Sequence, residues 1–267
     1  MTHAPPDGPG RPATTDDLDA IVALFHARDS RGTDRPESMH EYLTWIWSMS
    51  SVDLERDARL VPGEEQRATR GIALPLRTSV MSDDREGRAF LEGRGFTQVR
   101  TSWDMVRGLS PHERAAEPSP RVTVRTFRAG EEPLLYRISE TSFRDHWDHV
   151  PSTIESFTER MLATPWEPGL TFFAEVDGHV AGELIALPFA DRGYIASVGV
   201  LREYRGRGAA SAMLRRAFAA LAERGLPRVE LSVDAASPTG AVSLYEGLGM
   251  RAVRSYASFD GPGRGVS

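Results

Sequence analysis

The sequence predicts an α/β protein (a mixed α+β sheet), organised as two similar modules in tandem with the first one shortened. Three observations predict it. Both halves open on a short strand and a helix, in "RPATTDDLDAIVALFHARD" and in "RVTVRTFRAGEEPLLYRISETSF". Both close on a helix, a glycine stop and a strand, in "REGRAFLEGRGFTQVRTSWDMV" and in "PTGAVSLYEGLGMRAVRSYASF". In the second half, apolar runs of strand length alternate with helical patterns between opening and close. Such an internal repeat decides the fold.

The elements follow in order. Residues 1–10 form a disordered lead. In the first module, residues 11–109, Leu18, Ile21, Val22 and Phe25 share one helical face. Its span from 11 to 96 is about forty positions shorter than the matching span from 125 to 250, and only a remnant, "RATRGIALPLRT", stands where the second module has its central strands. The Pro- and acid-bearing "SPHERAAEPSP" at 110–120 reads as a linker. In the second module, residues 121–260, strand and helix lead into the polar "FRDHWDHVPS" and a further helix. "LTFFAEVDGHVAGELIALPF" is a hairpin turning at Asp177-Gly178. "GYIASVGV" is a strand, and a helix from Ala209 to Arg224 carries Met213, Leu214, Ala217, Phe218 and Leu221 on one face before Gly225 ends it. "RVELSVD" alternates as a strand. Ser237 and Pro238 read as cap and first turn of a helix closed by Gly249, and a last strand follows to Phe259. Residues 261–267 form a flexible tail.

Composition narrows the function classes. The chain has 267 residues, ample for a packed core, and no apolar run near the roughly 18 residues of a membrane span. Its first residues carry Pro, Gly and acid where a secretory leader needs basic and then apolar residues, so a cytoplasmic protein is expected. No Cys is present, which excludes disulfides, thiolate nucleophiles and Cys metal sites. The net charge of −6 argues against nucleic-acid binding. Charge is unevenly placed: residues 131–191 hold twelve acids against three arginines, and residues 192–216 six arginines against one acid. That pattern suggests a cationic guest for the first segment and an anionic one for the second, or two solvated faces.

"IASVGVLREYRGRGAASAMLRRAF" passes from a strand through two glycines and two arginines straight into a helix. Gly206 and Gly208 permit a turn and a close approach. The helix start at Ala209 and Ala210 offers unpaired N–H groups, and Arg205 and Arg207 add charged donors, so a diphosphate is the natural guest. A Walker A loop is excluded, since the chain has no Lys. A dinucleotide fingerprint would read Gly206, Gly208 and Ser211 with Asp234, but it lacks the third glycine and leaves too few residues for a second half-sheet. The third reading is Arg205-x-x-Gly208-x-Ala210.

That loop resembles the acetyl-coenzyme A loop of the GNAT acetyltransferase superfamily. With "DAASPTGAVSLYEGLGM" about thirty residues on, it resembles the paired central and C-terminal motifs of that family over residues 121–260. The tandem arrangement resembles mycothiol synthase-like proteins. The resemblance implies two GNAT-type modules, of which the second is catalytic, with acetyl-CoA as cosubstrate and no metal. It implies that Val198, Gly199 and Val200 offer a strand edge to the pantetheine arm, with an N–H near Val198 holding the thioester oxygen. It also implies that Arg205, Gly206, Arg207, Gly208, Ala209 and Ala210 cradle the pyrophosphate. Ser237 stands where the family often has an Asn that helps hold the coenzyme. Tyr245 matches the tyrosine that protonates the departing thiolate, and its helical spacing with Ala241 and Leu248 equally suits a core aromatic. The aligned residue in the first module is Leu91, which has no proton to give.

The base has two candidates. Asp148, in "RDHWDHV", falls near the position of a family glutamate, and Glu183, in "AGELIAL", would lie beside the thioester or point outward from its strand. His146 and His149 at that spacing lack a third firm metal ligand. The expected protein is an N-acetyltransferase, monomeric or homodimeric, acting on a small cationic primary amine by direct attack. Two readings stand beside it: a coenzyme-binding regulator without turnover, and an acetyltransferase of protein N-termini or lysines.

Overall fold

The computed structural model describes residues 11–12, 59–60, 77–114, 121–147, 149, 151–162, 165–237 and 239–261. Two compact units divide the chain: residues 1–71 with 152–165, and residues 72–151 with 166–267. In the first unit, Arg11–Pro12 pairs antiparallel with Arg59–Leu60. The expected helix through Leu18 and Phe25 lies outside the described residues. The same unit holds a helix at Ile154–Leu162, opened by Thr153, whose hydroxyl oxygen accepts from the Ser156 N–H at 3.2 Å.

The second unit is built on one eight-stranded sheet. Its elements are β1 (Arg77–Met81), α1 (Arg85–Glu92), β2 (Thr97–Gly108), β3 (Val122–Thr126), α2 (Glu132–Phe143), β4 (Thr171–Val176), β5 (His179–Pro188), β6 (Gly193–Val200), α3 (Ala209–Glu223), β7 (Arg228–Asp234), α4 (Ala241–Gly247) and β8 (Arg251–Asp260). The spatial order is β1-β8-β2-β7-β6-β5-β4-β3. All neighbours are antiparallel except β6 and β7, which run parallel. A mixed α/β sheet is therefore present, and from residue 121 onward the second unit's elements follow the predicted order.

The segment at 110–120 does not separate one sheet from another. β2, which precedes it, lies between β8 and β7 and pairs with each over most of its length. Met105 at its centre is fully buried. Charges stitch the insertion across strands: Arg254 Nε donates to Asp104 at 3.1 Å, and Arg228 and Arg192 both hold Glu230, at 2.9 and 3.2 Å. Arg228 also reaches the buried Asp191 at 2.6 Å. Closing strand and sheet thus belong together although about 120 positions separate their sequences, because strand pairing is decided by register and side-chain fit and not by distance along the chain.

α3 covers one sheet face. Met213, Leu214, Ala217, Phe218 and Leu221 are fully buried, as the predicted apolar stripe requires, and Gly225 (φ +77°) ends the helix. α2 packs on β5 and β6. Directions at two glycines show that it takes the opposite face. A Cβ at Gly182 would point at Met213 of α3, whereas one at Gly199 would meet Ser142 of α2. Leu91 packs in a separate small cluster with Val80, Ala257 and Phe259. No described helix is long and apolar enough to cross a membrane.

Met105→Ala should test the insertion of β2. Removing a fully buried side chain from the middle of the sheet costs about 2–5 kcal/mol. A urea midpoint shifted by that amount is the expected result; an unchanged midpoint would show that β2 is dispensable.

Candidate active site

β6 and β7 pair only at Gly193↔Val229 and Tyr194↔Glu230, and diverge thereafter. Two features force the divergence. A register shift against β5 leaves Ala196 as an extra residue in β6, and a bulge bends its strand. β7 cannot follow the bend, since β2 holds it from Arg228 to Asp234. A wedge opens toward the carboxyl ends of both strands. Leu201 donates its N–H to the Ala181 carbonyl of the β5 side. By strand alternation Gly199 faces β5 as well, while Val198 and Val200 turn their N–H and C=O groups into the wedge.

At the mouth of the wedge the chain turns into α3. Gly206 and Gly208 sit at φ +75° and +88°, where a side chain would be strained, and a Cβ on either would meet nothing within 4 Å. Gly208 is the helix cap, and no side chain caps the first turn. The N–H groups of Ala209, Ala210 and Ser211 therefore face outward without helical partners, at the positive end of a 15-residue helix. Arg205 folds back. Its Nε donates to the Val200 carbonyl at 3.0 Å and its Nη2 to the Ser142 carbonyl at 3.1 Å, tying the loop to β6 and to the end of α2. Arg207 is exposed, 3.3 Å from Asp177. Ser237 does not open α4. The helix starts at Ala241 with Gly240 (φ +73°) as its cap, and the Ser237 hydroxyl bonds Thr239 Oγ1 at 2.9 Å. A left-handed glycine sets that helix start, so the expected Ser–Pro cap gives way to it.

Glu183 points inward. It stands on β5 between Phe173 and Gly199 and is fully buried on the α2 face. Ser197 Oγ donates to Glu183 Oε1 at 2.6 Å. Glu183 Oε2 and Ser142 Oγ are buried with no hydrogen-bond partner among the described residues. Burial pushes the Glu183 carboxyl up to about 7, against a smaller downward pull from the Ser197 hydroxyl. A Cβ at Gly199 would fall 3.0 Å from Glu183 Oε1 and 2.8 Å from Ser142 Cβ, so only glycine leaves room for this group of side chains. Tyr245, on α4, is buried in the core cluster that α3 anchors. Burial alone pushes its phenol up to about 12, so it holds its proton at every physiological pH. Asp148 lies outside the described residues. Its neighbour His149 is 3.3 Å from Glu140.

Sequence reasoning passed over Ser142 and Ser197, because only the folded sheet brings them to Glu183. It also read residues 131–191 as an acidic surface. Six of those twelve acids stand in ion pairs with arginines: Glu131 and Glu175 with Arg125, Asp145 with Arg202, Glu167 with Arg224, Asp177 with Arg207, and Asp191 with Arg192 and Arg228; Glu140 lies 3.3 Å from the His149 ring.

Comparisons with known proteins converge on one family. Residues 133–250 match the model of the acetyltransferase (GNAT) family. A mycothiol acetyltransferase of Thermomonospora curvata is 34% identical over 180 residues, covering 66% of this chain and 60% of that protein. The N-alpha-acetyltransferase MAK3 of Arabidopsis thaliana is 40% identical over 106 residues, 38% of this chain and 54% of that one. A GCN5-related N-acetyltransferase from Sphaerobacter thermophilus superposes with a TM-score of 0.74 at 27% identity, covering 95% of this chain and 96% of its own. The chain thus spans 60% of the length of the Thermomonospora relative.

The buried carboxyl has a measurable signature. A folded-state value near 7 against an ordinary 4.5 means that the native protein holds the proton longer than the unfolded chain. Stability therefore falls as pH rises through that window. Glu183→Gln removes the titration, so wild type should lose about 3 kcal/mol relative to the variant between those two values. Urea midpoints that stay parallel with pH would contradict a buried, ionising Glu183.

Proposed function

We propose, from the premise that this chain carries a GNAT-family acetyltransferase domain over residues 133–250, that it transfers an acetyl group from acetyl-CoA to a primary amine. The observation that carries the proposal is the wedge between β6 and β7 with an uncapped, glycine-started helix at its mouth. A long, narrow donor with a diphosphate at one end and an amide-bearing arm fits both features. The N–H groups from Ala209 to Ser211 take the pyrophosphate. Gly206 and Gly208 shape the turn that presents them, with Arg207 beside them, and Ser237 lies on the loop after β7. The arm adds itself to the open edge of β6 through Val198 and Val200, and Gly199 keeps the opposite edge on β5. Near the bulge an N–H at Val198 holds the thioester oxygen as negative charge gathers on it.

The chain's own groups then manage two protons. An aliphatic ammonium has a pKa of about 10, so the attacking nitrogen must lose a proton. Glu183 accepts it through Ser197, whose hydroxyl donates to the carboxylate while its lone pairs face the incoming proton. Asp148 is the competing base. Tyr245 gives a hydrogen bond, and finally a proton, to the departing sulfur. Its raised pKa keeps the phenol protonated until a thiolate is there to receive it, and the phenolate then takes up the proton that the attacking nitrogen releases as the amide forms. We also read residues 11–109 as a shortened, non-catalytic module whose closing strand β2 completes the catalytic sheet, with Leu91 in the place of the tyrosine.

Kinetics separate the two roles. Tyr245→Phe keeps the ring and should lower turnover by about 10²–10⁴ with acetyl-CoA affinity unchanged. Glu183→Gln should abolish the rise in rate that wild type shows as pH passes through about 7. If the rise persists in Glu183→Gln and vanishes in Asp148→Asn, Asp148 is the base. Wild-type turnover in Tyr245→Phe, where chemistry limits the rate, would reduce the phenol to a core aromatic.

A further inference from the structure

The first strand residues of β2 outrun β7. Pairing between them begins at Ser102↔Asp234, so residues 97–101 have β8 on one edge and no strand on the other. Among the described residues only the Thr101 carbonyl is taken on that side, by the Ala235 N–H at 2.9 Å. Along this edge runs a cleft of about 530 Å³, lined among the described residues by Gln98, Val99, Arg100, Thr101, Ala235 and Ala236. A second bulge shapes it. Arg100 pairs with Ser258 and Gln98 with Phe259, which leaves Val99 as the extra residue, 38% exposed.

Arg100 supplies the charged donors of the cleft, and its polar neighbours are held in place. Arg100 rests its guanidinium on the Trp147 ring, 5.2 Å from the centroid. No hydrogen bond or ion pair among the described residues occupies its N–H groups. Arg88 Nη2 donates to Gln98 Oε1 at 2.9 Å, and Gln98 Nε2 donates to Thr101 Oγ1 at 3.1 Å. The Thr101 oxygen is thereby an acceptor toward Gln98, which leaves its own proton to give. Among the described lining residues the only formal charge is positive.

This cleft lies beside the wedge, running from the Ala235–Ala236 turn just before Ser237 to Trp147, just past α2. Its floor, Ala235 and Ala236, directly follows the last residue of β7, one of the two strands that diverge to form the wedge. Trp147 belongs to the loop after α2, on the sheet face opposite α3. The diphosphate cradle lies at the start of α3. A molecule held by Arg100 beside Trp147 is therefore next to the end of α2, the helix that covers the sheet face carrying Glu183, the proposed base.

We propose that Arg100, with Thr101, selects acceptors bearing an anionic group, a carboxylate or a phosphate, at a distance from the amine. The proposal rests on the acetyltransferase reading and deepens it by naming the acceptor class. A planar guanidinium presents paired N–H donors that match either anion, and the aromatic ring beneath keeps it from wandering. It reverses the expectation of a cationic acceptor, which rested on an acidic segment half of whose acids are paired with arginines.

The full chain is assayed with acetyl-CoA and thiol release against matched amines: an amino acid and its amide, and an amino sugar phosphate and its unphosphorylated sugar. The anionic member of at least one pair should be preferred by about tenfold in kcat/KM, and which pair responds identifies carboxylate or phosphate. Arg100→Gln should erase that preference by raising KM for the anionic member alone, and Arg100→Lys should keep some of it. Rates on the neutral member should not move, which a merely structural arginine would not guarantee. Preference for neutral or cationic members in wild type, or equal losses for both members in Arg100→Gln, overturns the proposal. Thiol release with no amine at all, while acetyl-CoA still binds, overturns the acetyltransferase reading and this one with it.

Discussion

The divergence of β6 from β7 is the constraint on which the rest of the second unit depends. Parallel strands gain hydrogen bonds by staying paired, and these two stop after two residue pairs. The bulge at Ala196 bends one strand, and seven paired residues of β2 pin the other. Each half of that statement has a structural cost. The bulge gives up ladder bonds on β6, and the pinning requires a strand drawn from the far side of the 110–120 segment. What results is a strand edge at Val198 and Val200 that no described strand pairs with, its Val200 carbonyl held by Arg205 at the end where α3 begins.

The same sheet carries its charges in two regimes. Around β2 and β7, arginines and acids interlock: Arg254, Glu230, Arg192, Asp191 and Arg228 form a chain of contacts between 2.6 and 3.9 Å. Pairing there keeps charged side chains in place across strands. Glu183 is the opposite case. It has a hydroxyl for company and no arginine, so burial dominates and the carboxyl titrates near neutrality. Folding gains nothing from such a group, and a Gln or Leu would cost less there. A buried acid with one oxygen unsatisfied, beside a strand that offers its edge, is where a proton-accepting role is to be sought.

Much of this was legible in the sequence, for identifiable reasons. α3 showed itself through a clean helical stripe and two flanking glycine signals, and the loop before it through its glycines and arginines. Those features are local, so the sequence states them outright. The insertion of β2 was hidden, because strand pairing between residues 97–108 and 251–260 is decided by long-range register and not by spacing. Glu183 was ambiguous for a related reason: β5 is buried on both faces, so alternation does not tell inward from outward. The start of α4 was misread because Ser237 and Pro238 look like a cap, while Gly240 takes the left-handed conformation that begins the helix. Charge counting misled most. Twelve acids in one segment look like a surface until arginines from elsewhere in the chain pair with six of them.

The central claim is that the free edge of β6 receives the arm of acetyl-CoA. Residue-resolved amide hydrogen exchange, with and without acetyl-CoA, tests it most directly. The Val198 and Val200 amides should exchange fast in the free protein and slow markedly with the coenzyme, together with the amides from Ala209 to Ser211. The Gly199 and Leu201 amides, already bonded to β5, should change far less. Coenzyme binding that leaves Val198 and Val200 unprotected, or that protects all four strand amides alike, would contradict the account.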